Sequence, residues 1–342
     1  MRNAIKSGTL RDVMRLLAAR LPPSWRLAPV PGGSPGATLR TPDGTKASLK
    51  VVERKHLDPR DVTAVLAPHL GPRAATLVTA PFLSPRTRQL LAETGASYAD
   101  ATGNLRLVLE RPAVFIEAAG AQRNPQRVPR SLASLKGPAA ARVVRALCDV
   151  KPPYGVRRLA QIAAASPATV SRTVAFLDQE ALVKRGARDE VVAVEWPALI
   201  RRWVQDYQFL SSNAVMTFLD PRGIPHLVSK LRGFGQRYAV TGSLAAALRA
   251  PAAAARVAAV FVDDPATATD SLDLRPVESG ANVMLVRPLD AVVFKRTWIE
   301  DGVTFAACSQ VAADLMTSPG RAPSEGEELV AWMSKNEDAW RT

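Results

Sequence analysis

The feature that most constrains the fold is a helix start in the middle of the chain, at Ser166-Pro167. Serine is a preferred N-cap, and proline is favoured at the first helical position because its ring holds a helical φ and it has no N–H to leave without a partner. In the residues that follow, Val170, Val174 and Leu177 recur at helical spacing. The sequence therefore predicts a helix with one apolar face that must be buried against other elements.

Elements before and after this helix complete a recognisable arrangement. The segments AAARVVRALCDV (139–150) and GVRRLAQIAAA (155–165) each have an apolar face, which predicts two preceding helices. Residues 182–194, LVKRGARDEVVAV, predict a hairpin with a polar tip. Three helices followed by a small hairpin are typical of a winged helix-turn-helix, here over residues 138–196.

The polar side chains of this segment are of the types that contact DNA. Short polar side chains and arginine suit base edges, and the amides that begin the same helix suit a phosphate. The predicted base-contacting residues are Ser166, Thr169, Ser171, Arg172 and Thr173. Of these, Thr169, Arg172 and Thr173 are expected on the face opposite the apolar one. Basic side chains around the helix suit phosphates; they are Arg157, Arg158, Lys184, Arg185 and Arg188. The alternative is a three-helix scaffold used for protein contacts.

The charge distribution favours a polyanionic partner. The chain carries a net charge of +14, but residues 1–130 hold 20 Lys/Arg and 9 Asp/Glu, for +11. Residues 131–210 carry +5 and residues 211–342 carry −2. A basic field of this kind attracts and steers nucleic acid, although charge alone also fits a protein that uses arginine for solubility.

The chain on either side of residues 138–196 predicts mixed helices and strands, so that the expected fold class is multidomain α/β and α+β. We expect a basic α/β domain at the N-terminal end, a linker, the winged helix, a connecting helix and a second α/β domain. The corresponding boundaries are 1–125, 126–137, 138–196, 197–211 and 212–342.

The first domain contains a literal match to the motif of PD-(D/E)xK nucleases. Such enzymes need two carboxylates for a divalent cation and a lysine beside the attacking water. Asp43 and the pair Glu53 and Lys55 have the required residue types. However, Pro42-Asp43-Gly44-Thr45 is an ordinary turn tetrad, which places Asp43 at a hairpin tip and away from Glu53.

A second match is one of shape. GASYAD (95–100), which ends in Asp100, and AVFIEAAG (113–120), which carries Glu117, resemble the G-x-x-Y-x-D and E-x-K strands of restriction-endonuclease-like folds. Ala119 stands in the lysine position, so the resemblance implies a degenerate, inactive domain that binds DNA or acts as a scaffold. Asp100 is otherwise a turn residue at a strand end. The chain is expected not to be an enzyme, and a metal-dependent nuclease that uses Glu53/Lys55 or Asp100/Glu117 is the alternative.

The last third resembles a nucleotidyltransferase-like fold in YAVTGSLAAALRAP (238–251) and RVAAVFVDD (256–264). Those enzymes hold metal ions with carboxylates on the second of these strands. Here Asp263 and Asp264 come only at the strand end and are adjacent, so they point to opposite faces. The resemblance implies a degenerate domain, in which Gly242-Ser243 is a helix N-cap.

SPATVSRTVAFLDQEALVKR (166–185) resembles the recognition helix of winged-helix bacterial regulators, except that Ala181 replaces the usual glycine before the wing. From TFLDPRG (217–223) to the segment 309–333, the chain is similar to the abortive-infection type IV antitoxin (AbiEi-like) regulators, although a basic domain precedes the winged helix here. That resemblance implies a DNA-binding autoregulator. In some members it also implies neutralisation of a nucleotidyltransferase toxin, for which residues 212–342 would be the binding region.

No motif indicates a cofactor or a metal. There are two cysteines and three histidines, with no paired metal-ligand spacing. The first residues are charged, and no apolar run is long enough to span a membrane. We expect a cytoplasmic, nucleoid-associated bacterial transcriptional regulator with DNA as its partner and no membrane partner. The oligomeric state stays open, a dimer being common among such regulators.

Overall fold

The computed structural model describes residues 6–30, 36–69, 75–125, 134–252 and 254–342. The chain divides into two compact units, residues 1–130 with 179–181, and residues 131–178 with 182–342. Helices and sheets occur together in the structure, which confirms the predicted α/β class at that coarse level. Most of the predicted linker, residues 126–133, lies outside the described residues. Within the described ranges, no helix has the length and apolar character needed to cross a membrane.

The N-terminal unit is built on a seven-stranded sheet whose strand order follows chain order. The strands are β1 (Arg26–Pro29), β2 (Gly36–Arg40), β3 (Lys46–Glu53), β4 (Ala75–Ala80), β5 (Ser97–Asp100), β6 (Leu105–Leu109) and β7 (Val114–Ala118). The helices are α1 (Lys6–Ala18), α2 (Val62–Leu66) and α3 (Pro85–Glu93). Strands β3, β4 and β5 are parallel because α2 and α3 are the crossovers between them, and the other pairs are antiparallel.

Alternation along the strands gives this unit a core on each face of the sheet. On one face Leu49 and Leu77 pack with Leu17 of α1. On the other face Val52 and Val78 belong to a second cluster, which includes buried residues of α2 and α3. Successive side chains of a strand point to opposite faces, so Val51 and Val52 serve different cores.

The predicted helices and hairpin of residues 138–196 are present and belong to the C-terminal unit, except for residues 179–181. They are α4 (Pro138–Asp149), α5 (Val156–Ala163), α6 (Pro167–Gln179), β8 (Val183–Arg185) and β9 (Val191–Val194). We call this part the α4–β9 segment. Its core includes Val143, Leu147, Leu159, Val174 and Leu177, all of which are fully or almost fully buried.

The rest of the C-terminal unit is a second seven-stranded sheet with helices. In chain order it contains α7 (Trp196–Trp203), α8 (Phe209–Ser212), β10 (Ala214–Leu219), α9 (Ile224–Leu231), β11 (Tyr238–Thr241), α10 (Gly242–Ala246), β12 (Ala258–Val262), α11 (Pro265–Ser271), β13 (Arg275–Pro276), β14 (Val283–Arg287), β15 (Trp298–Glu300), β16 (Val303–Phe305), α12 (Cys308–Met316) and α13 (Ala322–Lys335). The strand order is β13-β10-β14-β12-β11-β16-β15. One apolar cluster runs from Leu135 to Met333, so the α4–β9 segment and this sheet share a core.

The single connecting helix predicted over residues 197–211 is wrong. Helix α7 ends at Trp203 and α8 begins only at Phe209. The chain turns between them, where Tyr207 donates a hydrogen bond to Asp314 at 2.6 Å and stacks on Trp203 with ring centroids 4.9 Å apart. The sequence pattern extended the helix because Tyr207 has the spacing of its apolar face, whereas the tyrosine hydroxyl is committed to a buried partner elsewhere.

A buried ion pair within α4 links this helix to α12 and to the loop before β15. Arg145 is fully buried and donates to Asp149, one helical turn further on, at 3.0 and 3.2 Å. Its remaining donors reach Gln310 at 2.8 Å and the carbonyl of Lys295 at 3.2 Å. Asp149 in turn accepts from Arg296 at 2.7 Å. The position of α4 is therefore fixed by directional bonds as well as by apolar packing.

Two helices of the α4–β9 segment end on an alanine with a left-handed backbone. Ala164 has φ of 47° and Ala181 has φ of 52°. After α6, the N–H of Leu182 donates to the carbonyl of Leu177 at 2.8 Å, as in a Schellman C-cap. Glycine is the usual residue at such a position because an L side chain is strained there. Ala181 thus takes the conformation of the glycine that it replaces.

We predict that Arg145→Met destabilises the C-terminal unit by about 1–3 kcal/mol, because the buried oxygens of Asp149 and Gln310 lose donors, although Asp149 keeps its pair with Arg296. Urea unfolding followed by tryptophan fluorescence measures this, since five of the six tryptophans lie in that unit. The matched control is Arg201→Met. Arg201 pairs with Glu327 at 2.6 Å with both side chains about half exposed, so its loss should cost about 0–1 kcal/mol. Equal losses for the two variants would contradict the anchoring role.

We predict that Ala181→Gly raises the free energy of unfolding by about 1 kcal/mol, because it relieves the left-handed strain at the end of α6. The same fluorescence assay checks it. Ala187→Gly, at the exposed tip of the hairpin and without a positive φ, is the control and should lower stability slightly through the entropy of the unfolded chain. A loss of stability in Ala181→Gly would show that the strain is absent.

Candidate nucleic-acid interface

The N-terminal half of α6 is the exposed part of that helix. Ser171 and Arg172 are exposed and Thr169 is half-buried, whereas the residues from Ala175 to Glu180 are buried or half-buried. The exposure follows from the apolar pattern, because Val170 and Val174 are buried in the core. Ser171 and Arg172 lie between them in the sequence and so point to the opposite face of the helix.

The start of α6 is capped as the sequence predicts. The Oγ of Ser166 accepts a hydrogen bond from the Thr169 N–H at 3.2 Å and lies 2.9 Å from the Thr169 hydroxyl. Pro167 has no N–H, and the Val170 N–H donates to the Ser166 carbonyl at 3.0 Å. Among residues 167–170, the N–H of Ala168 is therefore the one left without a bond at the helix start. The sequence predicted several such N–H groups for a phosphate.

The assignment of Thr173 to the exposed face is wrong. Its side chain is 1% exposed. Thr173 lies three residues after Val170 and adjacent to Val174, and positions three and four apart share a helix face. The threonine therefore completes the buried stripe, and it does not belong among the residues that reach a partner.

Five basic side chains lie on the elements that precede and follow α6 in the chain, and four of them are exposed. Arg157 and Arg158 lie in the first turn of α5, Lys184 lies on β8, and Arg188 lies in the hairpin turn. Within the described part of the chain, these four and Arg172 have no side-chain hydrogen bond or ion pair, so their charges are available. Arg185 differs, because it forms an ion pair with Asp189 of the same turn and is only 27% exposed.

The hairpin is held by the backbone and by its own acidic residues. Val183 pairs with Val194 and Arg185 pairs with Val191, with an irregularity between Lys184 and Arg185. At the tip, the Arg188 N–H donates to the Glu190 carboxylate at 2.9 Å. The Arg188 side chain is thus placed by its own backbone bond while its guanidinium stays exposed.

Tyr154 forms an isolated β-bridge to the hairpin, which sequence reasoning missed. Its N–H and carbonyl exchange hydrogen bonds with Val191 at 3.2 and 3.0 Å. The residue stands alone between α4 and α5, in a stretch with prolines and no alternating pattern, so no strand signal was available. The bridge ties the hairpin to the start of α5, where Arg157 and Arg158 lie.

The carboxylates of the first nuclease match do not form a site. Asp43 sits in the turn between β2 and β3 and accepts from the N–H and the hydroxyl of Thr45, each at 3.1 Å, and from the Thr41 hydroxyl. These hydrogen bonds lower the pKa of the Asp43 carboxyl. Glu53 is the last residue of β3, whereas Asp43 lies in the turn before this strand begins. The two residues are therefore at opposite ends of β3, which agrees with the prediction that they do not meet.

Asp100 of the second match is a structural acceptor. It is fully buried, and one of its oxygens accepts from the Leu83 N–H at 3.0 Å and the Asn104 side chain at 2.8 Å. The other oxygen accepts from the N–H and hydroxyl of Thr102 at 2.9 and 2.7 Å and from the Asn104 N–H at 3.1 Å. Glu117 lies exposed on β7, directly across from Arg106. Five donors leave Asp100 no free lone pair for a cation.

The end of the nucleotidyltransferase-like strand is occupied by structural bonds. Asp263 forms a two-pronged pair with Arg237 at 2.6 and 2.7 Å. Asp264 caps α11 through the Ala266 N–H at 3.1 Å. The helix after β11 begins at Gly242, with φ of 70°, and its N-cap is Thr241 rather than the predicted Gly242-Ser243. In the described residues, no three histidine, cysteine, aspartate or glutamate side chains are grouped so that they could hold a metal.

Comparisons with known proteins add no relative. No family model, no curated protein and no solved structure matches the chain.

We predict that Asp100→Asn costs about 2–3 kcal/mol in the N-terminal unit, because the amide brings donors to a buried position that faces five donors. Circular dichroism during urea unfolding measures the loss, and the tryptophan transition of the C-terminal unit should not move. Glu117→Gln is the matched control, exposed on β7, and should stay within about 0.5 kcal/mol of the wild type. An Asp100→Asn variant with an unchanged free energy of unfolding would contradict the structural role and make Asp100 a candidate for catalysis again.

Proposed function

We propose that the chain is a DNA-binding protein, and specifically a transcriptional regulator that reads duplex DNA with a winged helix formed by the α4–β9 segment. The observation that carries the proposal is the exposed N-terminal half of α6, with Ser171 and Arg172 free of the core. Recognition helices of this class place their N-terminal residues against base edges in the major groove. A regulator of this kind would act in the cytoplasm, on the nucleoid.

Base contacts are assigned to Arg172 and Ser171, with Thr169 beside them. Arginine forms two parallel hydrogen bonds to the O6 and N7 of guanine, which is the commonest specific contact in the major groove. Arg172 suits this because it has no partner in the described structure and stands on the first two turns of α6. The Oγ of Ser166 accepts the capping hydrogen bond from the Thr169 N–H. Ser166 would therefore contact DNA only through the second lone pair of that oxygen.

Phosphate contacts are assigned to Arg157, Arg158, Lys184 and Arg188. Their charges are exposed, and they flank α6 in the chain on both sides. Arg185 contributes less, because Asp189 neutralises it. The N-terminal unit carries +11 over residues 1–130 and supports the same proposal, since a basic surface adds affinity that does not depend on sequence.

The test begins with the selection of bound duplexes from a random library, followed by titration of the best duplex. Arg172→Ala should weaken binding by about 1–3 kcal/mol and relax the preference at one base pair. Arg188→Ala should weaken all sequences alike and reduce the slope of log affinity against log salt by about 0.9. Arg275→Ala, exposed on β13 of the same unit, is the control and should bind as the wild type does.

Two results would contradict the proposal. One is an Arg172→Ala variant with unchanged affinity and unchanged sequence preference. The other is cleavage of supercoiled or single-stranded DNA in Mg²⁺ or Mn²⁺ by the wild type that is lost in Glu53→Gln, which would favour the nuclease.

A further inference from the structure

A cavity of about 270 Å³ lies within the C-terminal unit, away from the exposed half of α6. Its lining includes Asp149 at the end of α4, Arg296 and Trp298 before and on β15, Arg249 after α10, and Trp340 and Arg341 near the end of the chain. At roughly 30 Å³ for each water molecule, the volume equals about nine waters, which is enough for a small organic molecule. No part of the DNA-binding proposal uses these side chains.

Beside Asp149 the charges are unbalanced in favour of cations, whereas Asp338, which also lines the cavity, pairs with Lys151. Asp149 is almost fully buried, and its carboxylate faces two guanidiniums, Arg145 at 3.0 Å and Arg296 at 2.7 Å. One negative charge therefore meets two positive charges in a poorly solvated place. An uncompensated buried charge is costly, and an anion in the cavity would relieve it.

Arg296 shows the same deficit at the level of single atoms. Its Nε donates to Asp149, but its Nη2 is buried and makes no hydrogen bond. A buried donor without an acceptor costs free energy. The residue also has a left-handed backbone, with φ of 56°, and strain of this kind is concentrated at ligand clamps.

The two other arginines are each held in place by one carboxylate together with neutral groups. Arg341 donates to the carbonyls of Cys148 at 2.9 Å and Leu147 at 3.3 Å, and its one carboxylate partner is Glu337 at 3.2 Å. Arg249 lies 4.2 Å above the ring of Trp298 and pairs with Glu300 at 3.0 Å. Guanidiniums fixed in this way lose little entropy when they bind an oxyanion.

The remaining walls are aromatic and apolar. Trp340 packs edge-on against Trp196, with ring centroids 4.8 Å apart, and donates its N–H to the Met333 carbonyl. Trp298 and the buried Cys308 close another side. An inorganic ion alone would leave this surface in contact with water, whereas a ligand with a small apolar body would cover it.

We propose that this cavity binds a small organic anion, with its phosphate or carboxylate group among Arg249, Arg296 and Arg341 and its apolar body against Trp298 and Trp340. The anion neutralises the positive charge that Arg145 and Arg296 together leave over beside Asp149. The proposal does not depend on DNA binding, so either can fail while the other holds.

Isothermal titration of the full chain tests the site with phenyl phosphate and with benzoate, which separate the phosphate source from the carboxylate source. At least one of them should bind at one site per chain, with Kd of about 1 mM or tighter. Benzyl alcohol, which has the ring without the charge, should not bind. Inorganic phosphate should bind more weakly than phenyl phosphate, because it leaves the aromatic wall uncovered.

Two variants locate the binding. Arg296→Gln should weaken it about tenfold or more, since a charge-assisted hydrogen bond is lost. Ala339→Trp keeps every charge and fills the cavity from an exposed position on its rim, so it should weaken binding as much even if Arg296→Gln does not fold. Arg275→Gln is the matched control and should bind as the wild type does.

The proposal is overturned if neither phenyl phosphate nor benzoate gives saturable binding at about 10 mM. It is also overturned if the affinity is the same in Ala339→Trp, which would place the anion elsewhere on this basic chain. Equal affinities for inorganic phosphate and phenyl phosphate would remove the organic body from the proposal and so contradict it.

Discussion

The buried pair of Arg145 and Asp149 is the interaction on which the arrangement of the C-terminal unit depends. Arginine and aspartate are rarely fully buried, and they persist here because Arg145 also has acceptors outside α4, on Gln310 and Lys295. Apolar packing alone would allow α4 to slide on its neighbours, since the hydrophobic effect is not directional. The hydrogen bonds to Gln310 and Lys295 fix its position; α5 packs on α4, and α6 belongs to the same apolar cluster. The orientation of the exposed half of α6 therefore follows from a pair that lies far inside the core.

The two proposals follow from one principle applied to two places. In α6, one apolar face is buried in the core, and Arg172 lies on the opposite face with no partner in the described chain. Beside the cavity, two guanidiniums, of Arg145 and Arg296, share the single carboxylate of Asp149. In both places positive charge exceeds the negative charge beside it, and a partner is inferred from that excess: duplex DNA at the exposed face and a small anion in the cavity.

Much of the fold could be predicted from the sequence, because it rests on local signals. Ser166-Pro167 gave the start of α6, Pro42-Asp43-Gly44-Thr45 gave the turn between β2 and β3, and alternation gave the hairpin of β8 and β9. The errors come from long-range contacts. The burial of Thr173 depends on how wide the apolar stripe of α6 is, and the break after Trp203 depends on a tyrosine hydroxyl that bonds to Asp314. The five hydrogen bonds to Asp100 come from residues up to 17 positions away in the chain, and no sequence motif predicts them. The ion pair of Arg185 with Asp189, four residues further on, likewise reduces the charge that the sequence predicted for a phosphate contact.

The most direct test of the central claim, that α6 reads the major groove, is methylation interference with dimethyl sulfate on a selected duplex. The reagent modifies guanine at N7, which faces the major groove, and adenine at N3, which faces the minor groove. The account predicts that N7 methylation of one or more guanines in the site blocks binding, and that the same guanines lose their effect in Arg172→Ala. If only methylation at adenine N3 reduced binding, and methylation at guanine N7 had no effect at any position, the claim that α6 reads the major groove would be contradicted.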